Sequence, residues 1–89
     1  MPNVNDTAFL TPAAFELFLA YAEDAPNWNG MPLVGGNVEQ GPRENGLLTN
    51  LKKAGLVATE EDWDDPSLVW LHFTDLGKAY AAENGFPLD

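Results

Sequence analysis

The order of helix and strand signals between Gly46 and Ala82, GLLTNLKKAGLVATEEDWDDPSLVWLHFTDLGKAYAA, constrains this chain more than any other feature. Leu47, Leu48, Leu51 and Ala54 recur at helical spacing within a helix expected over Pro42–Ala54. Gly55 is a ready C-cap, with Leu56 placed to pack back on the last turn. The period then changes to two. Leu56–Thr59 and Leu68–Phe73 read as an antiparallel pair, with Asp65-Pro66-Ser67 as the return turn. Val69, Leu71 and Phe73 alternate onto one face and leave Leu68, Trp70 and His72 on the other. Thr74 caps a last helix whose Leu76, Ala79 and Tyr80 are expected to point inward, before Gly85 and Pro87 close it.

Upstream, residues 1–8 are polar and read as a flexible N-terminal arm, leaving 9–89 as one domain. Thr11 is a good N-cap, Pro12 suits the first helical position, and Leu10 can staple onto Phe15. Phe15, Phe18, Leu19 and Ala22 follow at helical spacing, and Leu17 and Tyr21 widen the apolar stripe. Pro26 is expected to end this helix by pushing Ala25 out of the helical region. Residues 26–41, PNWNGMPLVGGNVEQG, read as a loop with a short extended piece near Pro32–Val34 and a single-turn helix around Asn37–Gln40. Trp28 in this loop reads first as a cap over the core and second as a ligand platform. Gly46 marks either a kink or a helix start nearer Leu47, since glycine inside a helix costs roughly 1 kcal/mol.

Composition narrows the function classes. Eighty-nine residues with 45% apolar content and ten aromatics make one globular core. The absence of cysteine excludes disulfides and thiolate metal sites. The N-terminus lacks the basic and apolar regions of a signal peptide, and no apolar run reaches the roughly 18–20 residues of a membrane span. A soluble cytoplasmic protein is expected. Fourteen acidic residues against four basic ones give a net charge of −10, which repels phosphate and anionic lipid.

At LTNLKKAGLV, followed by a hairpin and then LHFTDLGKAYA, the chain resembles winged-helix regulators of the MarR and PadR type over about residues 42–83. Thr74 and Gly77 match the Thr-x-x-Gly helix start after the second wing strand. The resemblance implies a mainly α fold with a small β-hairpin (α+β), a winged helix-turn-helix in a single domain. Its expected order is helix, short strand, short helix, recognition-type helix, two-stranded wing, helix. The recognition role then falls on the 42–54 helix, with Asn45, Thr49, Lys52 and Lys53 facing outward and Arg43 and Asn50 on the flanks. Such side chains are suited to reading base edges. Residues 42–55 hold three of the four cations and carry net +2, against −12 for the rest.

The wing departs from that pattern. Its tip holds Glu60, Glu61, Asp62, Asp64 and Asp65 around Trp63, where a DNA-reading wing brings Arg or Lys. The cluster lacks EF-hand spacing, so a metal site is not expected, and no cofactor is implied. It reads either as a solvated hairpin tip or as a protein-binding hairpin with Trp63 as an apolar anchor inside an anionic ring. Enzymatic readings are poor: His72 is the one histidine, and no spacing links a hydroxyl to a base and an orienting acid. The leading expectation is a small non-enzymatic interaction module for a basic protein or nucleoprotein surface. Such compact acidic winged helices resemble accessory or inhibitor proteins of bacteria and their phages. The alternative is a sequence-specific DNA-binding regulator using the 42–54 helix. In either case a monomer or weak dimer is expected.

Overall fold

A computed structural model describes residues 10–88; the expected N-terminal arm, 1–8, lies outside them. The described residues form α1 (Pro12–Asp24), a 3-10 turn (Ala25–Trp28), α2 (Pro42–Lys53), β1 (Val57–Glu61), β2 (Val69–Phe73) and α3 (Asp75–Glu83). This is a small α+β fold of three helices and one antiparallel hairpin. No described helix is long and apolar enough to cross a membrane.

Each helix begins and ends as its local chemistry dictates. The Thr11 hydroxyl accepts the Ala14 amide at 3.1 Å, with Pro12 at the first helical position. At the start of α2, Glu44 accepts the Gly41 amide at 2.9 Å, which is half of a capping box; Gly41 has no side chain with which to return it. Past the end of α2, Gly55 adopts φ +79°, the Leu56 amide reaches the Leu51 carbonyl, and the Gly55 amide reaches that of Lys52. That is a Schellman motif, and its apolar contact is supplied by the fully buried Leu51 and Leu56. Gly85, at φ +89°, repeats the motif after α3, with the Phe86 amide on the Ala81 carbonyl.

β1 and β2 pair in the register Val57↔Phe73, Thr59↔Leu71 and Glu61↔Val69. Their inner face packs on α1. Phe18 is completely buried and meets Phe73 edge-on at 5.6 Å and Tyr80 at 5.3 Å. Leu17, Tyr21 and Ala22 of α1, Leu48 and Leu51 of α2, Leu71 of β2 and Ala81 of α3 also belong to the core. The extended piece at Pro32–Val34 is a single antiparallel bridge, Leu33↔Trp70, flanked by Val34 amide to Val69 carbonyl and Leu71 amide to Pro32 carbonyl.

Four expectations need correction. Ala25 stays helical, at φ −52° and ψ −41°, because burial of its methyl outweighs the steric preference set by Pro26. Pro26 lies in the 3-10 turn, where its missing N–H leaves no bond unmade. Asn37–Gln40 forms no helical turn, since its side chains are drawn to α1 instead. On α3 Tyr80 points inward and Leu76 packs against the core as expected, but Gly77 and Ala81 are the other buried positions and Ala79 is exposed. α2 starts at Pro42, so Gly46 is interior to it and exposed, and a Cβ added there meets nothing within 4 Å. Gly46→Ala is expected to stabilise the fold by about 0.5–1 kcal/mol, read as a higher denaturation midpoint at unchanged m-value.

Candidate functional site

The hairpin tip is built by its own carboxylates. Asp62 Oδ2 accepts the amides of Asp64 at 3.1 Å and Asp65 at 3.0 Å, while Oδ1 accepts the Trp70 indole N–H at 3.2 Å. The Trp70 donor foremost, with both amides, holds the Asp62 carboxyl below its usual range against a small desolvation cost. Asp65 Oδ1 accepts both the amide and the hydroxyl of Ser67, which fixes the return turn. Glu60 Oε2 lies 3.1 Å from His72 Nε2, within hydrogen-bonding distance. Glu61 and Asp64 are exposed, and no described hydrogen bond engages their side chains. The six residues expected to bind a protein therefore divide: Asp62 and Asp65 shape the tip, Glu60 pairs with His72, and Glu61, Asp64 and Trp63 face solvent. Trp63 is 92% exposed.

A second indole cluster lies on the outer face of the hairpin. Strand alternation places Trp70 and His72 there, as expected from their spacing. The 3-10 turn brings Trp28 against Trp70, with ring centroids 5.8 Å apart and planes at 64°. Trp28 thus does not cap the main core; it belongs to a satellite cluster on the opposite side of the sheet. A groove of about 530 Å³ opens here, lined by all three tryptophans, Met31, His72 and the acidic residues Glu60, Glu61 and Asp62. No lysine or arginine lines it.

Asp24 sets the position of Trp28. This carboxylate is only 8% exposed, accepts Trp28 Nε1 at 2.8 Å on Oδ2, and accepts Asn27 Nδ2 at 3.0 Å and Asn37 Nδ2 at 2.9 Å on Oδ1. Burial pushes its pKa up, yet the donors of Asn27, Asn37 and Trp28 outweigh it and hold the carboxyl below the usual range. One turn earlier, the Tyr21 hydroxyl donates to Gln40 Oε1 at 2.6 Å and accepts the Gly35 amide at 3.3 Å. Burial raises the Tyr21 pKa, the Gly35 amide opposes that, and the charges of Asp24 and Glu44 add to the rise. Two polar side chains of α1 therefore hold the 26–41 loop. Sequence reading missed both; a lone Asp on the helix flank beside the Asn-rich loop was the available signal.

The alternative site is the surface of α2. Arg43, Asn45, Thr49, Asn50, Lys52 and Lys53 are all exposed. They are not equally outward. Asn45 Oδ1 accepts from Gln40 at 2.9 Å and so leans toward the 26–41 loop, while Lys52 Nζ donates to Thr59 on β1 at 3.4 Å and leans toward the hairpin. Thr49 Oγ1 donates to the Asn45 carbonyl of its own helix at 3.0 Å. Among the described residues, no group of three or more acidic or imidazole side chains gathers at metal-ligand spacing. Set beside known proteins, the chain matches no family model, no curated protein and no solved structure.

Proposed function

We propose that this chain is a small, non-enzymatic interaction module of winged-helix type, of the accessory or inhibitor kind. It engages a basic protein or nucleoprotein surface through its acidic, Trp63-bearing hairpin. The carrying observation is the 92% exposure of Trp63 at a tip that Asp62 and Asp65 hold in shape. An indole presented from a braced turn loses little conformational freedom on binding, and tryptophan is enriched at interface hot spots. The surrounding carboxylates select a cationic partner and speed encounter with it.

The winged-helix likeness draws support from the bridge at Leu33, which adds to β2 where that fold expects its first strand. The expected second helix is missing, so the likeness rests on α2, the hairpin and α3.

A second reading is favoured by one observation: three of the chain's four basic residues, Arg43, Lys52 and Lys53, are exposed on α2. It makes the chain a DNA-binding regulator that reads a groove with this helix. A net charge of −10 and an acidic hairpin beside α2 oppose phosphate approach. Affinity purification from the source cell, followed by titration of the purified partner, separates the two readings. Trp63→Ala is expected to weaken a basic partner about tenfold or more. Because Trp63 touches little, the same change is expected to alter stability by under about 0.5 kcal/mol. Labelled duplex at low salt is expected to show little binding; micromolar binding abolished by Lys52→Glu and Lys53→Glu together overturns the proposal in favour of the second reading.

A further inference from the structure

The groove on the outer face of the hairpin carries a narrower inference, which rests on the protein-binding reading above. Both indole donors on its floor are already engaged, Trp28 Nε1 by Asp24 and Trp70 Nε1 by Asp62. What these rings can still offer a ligand is their faces and edges. The edge-to-face arrangement at 64° presents two differently oriented indole surfaces to one space. Met31, 43% exposed, supplies a soft apolar wall, while Glu60 and Glu61 supply negative charge. An apolar anion is repelled by those carboxylates, and a neutral apolar group leaves Glu61, and the Glu60 oxygen that His72 does not reach, without a cationic partner. A cation on an aliphatic stem matches both halves, since indole is the strongest of the aromatic cation-π partners.

We infer that this groove seats one arginine or lysine side chain from a basic segment of the protein partner. The stem lies along Trp28, Trp70 and Met31, and the charged head lies toward Glu60 and Glu61. Trp63 at the groove's end covers the adjoining residues of that segment. The groove, with the 26–41 loop as one wall, is therefore the element that identifies the partner, and the exposed tip adds contact area to it. Arginine suits the site well because its planar head both stacks on indoles and pairs with carboxylates.

The test uses the full chain, a short arginine-containing peptide, and the same peptide with citrulline in place of arginine. The three indole N–H resonances of the folded protein report the place of binding. The arginine peptide is expected to shift the Trp28 and Trp70 resonances, and the citrulline peptide to bind about tenfold more weakly or less. Met31→Arg, which places the protein's own cation in the groove, is expected to weaken the arginine peptide by about tenfold. Glu60→Gln with Glu61→Gln is expected to act in the same direction without adding bulk. Glu16→Gln with Glu23→Gln makes the same change in net charge on exposed positions of α1 and is expected to change affinity by less than about twofold.

Equal loss from the two charge-matched pairs, or equal binding of the citrulline peptide, overturns the inference, because attraction is then general rather than seated. A partner that is sensitive to Trp63→Ala but indifferent to Met31→Arg and to Glu60→Gln with Glu61→Gln also overturns it, while leaving the hairpin reading intact. Absence of any peptide-induced shift at millimolar concentration overturns it as well. The hairpin reading is then decided separately, by the purified partner and the duplex titration.

Discussion

Gly77→Ala is expected to destabilise the fold by about 3–5 kcal/mol, although alanine is the better helix former by about 1 kcal/mol. A Cβ on Gly77 falls 1.9 Å from the Leu56 carbonyl oxygen and 2.9 Å from its carbon. The obstacle is backbone, so no rotamer change relieves it. Nor can α3 simply lift away. The Thr74 amide donates to the Leu56 carbonyl at 3.1 Å, and the Thr74 hydroxyl lies 2.6 Å from the Gly55 carbonyl oxygen while accepting the Gly77 amide at 3.0 Å. One residue therefore caps α3 and ties its first turn to the end of α2. Displacing that turn loses these bonds and loosens Tyr80 and Ala81 from the core. For a domain of this size, with total stability of roughly 5–10 kcal/mol, the change lowers the melting temperature by about 15–30 °C. Thermal unfolding beside Gly46→Ala makes the comparison sharp, because two helix-interior glycines are expected to respond with opposite sign. A neutral or stabilising Gly77→Ala refutes the close approach of α3 to Leu56.

That contrast also marks what can be read from sequence. Gly55, Gly85, the Asp65-Pro66-Ser67 turn and the capping role of Thr74 are legible because each acts through bonds to residues a few positions away. The alternation that places Trp70 and His72 together outside the core is legible for the same reason. Gly77 is legible as part of a Thr-x-x-Gly start. Its physical reason is hidden, since Leu56 is far away in sequence and near only once the hairpin has turned. Two of the misreadings share one cause. At Ala25 and Asn37–Gln40 local preference points one way, and contacts with α1 and the core outweigh it. The acidic tip is visible as composition, but its division into bracing and solvent-facing carboxylates depends on which backbone amides the turn presents. The meeting of Trp28 with Trp70 is not legible at all. It depends on the 3-10 turn swinging across the outer sheet face, and that swing is held by Asp24.

Asp24→Asn is accordingly expected to reach both stability and the candidate site. The substitution keeps the shape of the side chain. Its remaining oxygen can still accept from Asn27 and Asn37, but its amide then faces the Trp28 indole donor where Oδ2 accepted at 2.8 Å. A buried donor left without an acceptor, together with loss of charge-assisted bonds, costs about 1.5–3 kcal/mol at neutral pH. Glu23→Gln, on the exposed neighbouring position, changes the net charge equally and is expected to alter stability by less than about 0.5 kcal/mol. The pH dependence carries a definite sign. Asp24 has a folded pKa below its unfolded value, so the unfolded chain binds the extra proton as pH falls. Its contribution is fully present above the unfolded carboxylate pKa of about 3.9 and is lost as pH falls through the lower folded value. The gap in stability between wild type and Asp24→Asn is therefore expected to be constant near neutrality and to narrow below about pH 4. Using the gap removes the separate effect of protonating the other carboxylates, which relieves repulsion in both proteins alike. The Trp28 indole N–H resonance is expected to move in Asp24→Asn, and affinity for the arginine peptide to fall with it, because the ring that walls the groove has lost its anchor. If stability falls while that resonance and the affinity stay unchanged, Asp24 braces the loop without setting the groove.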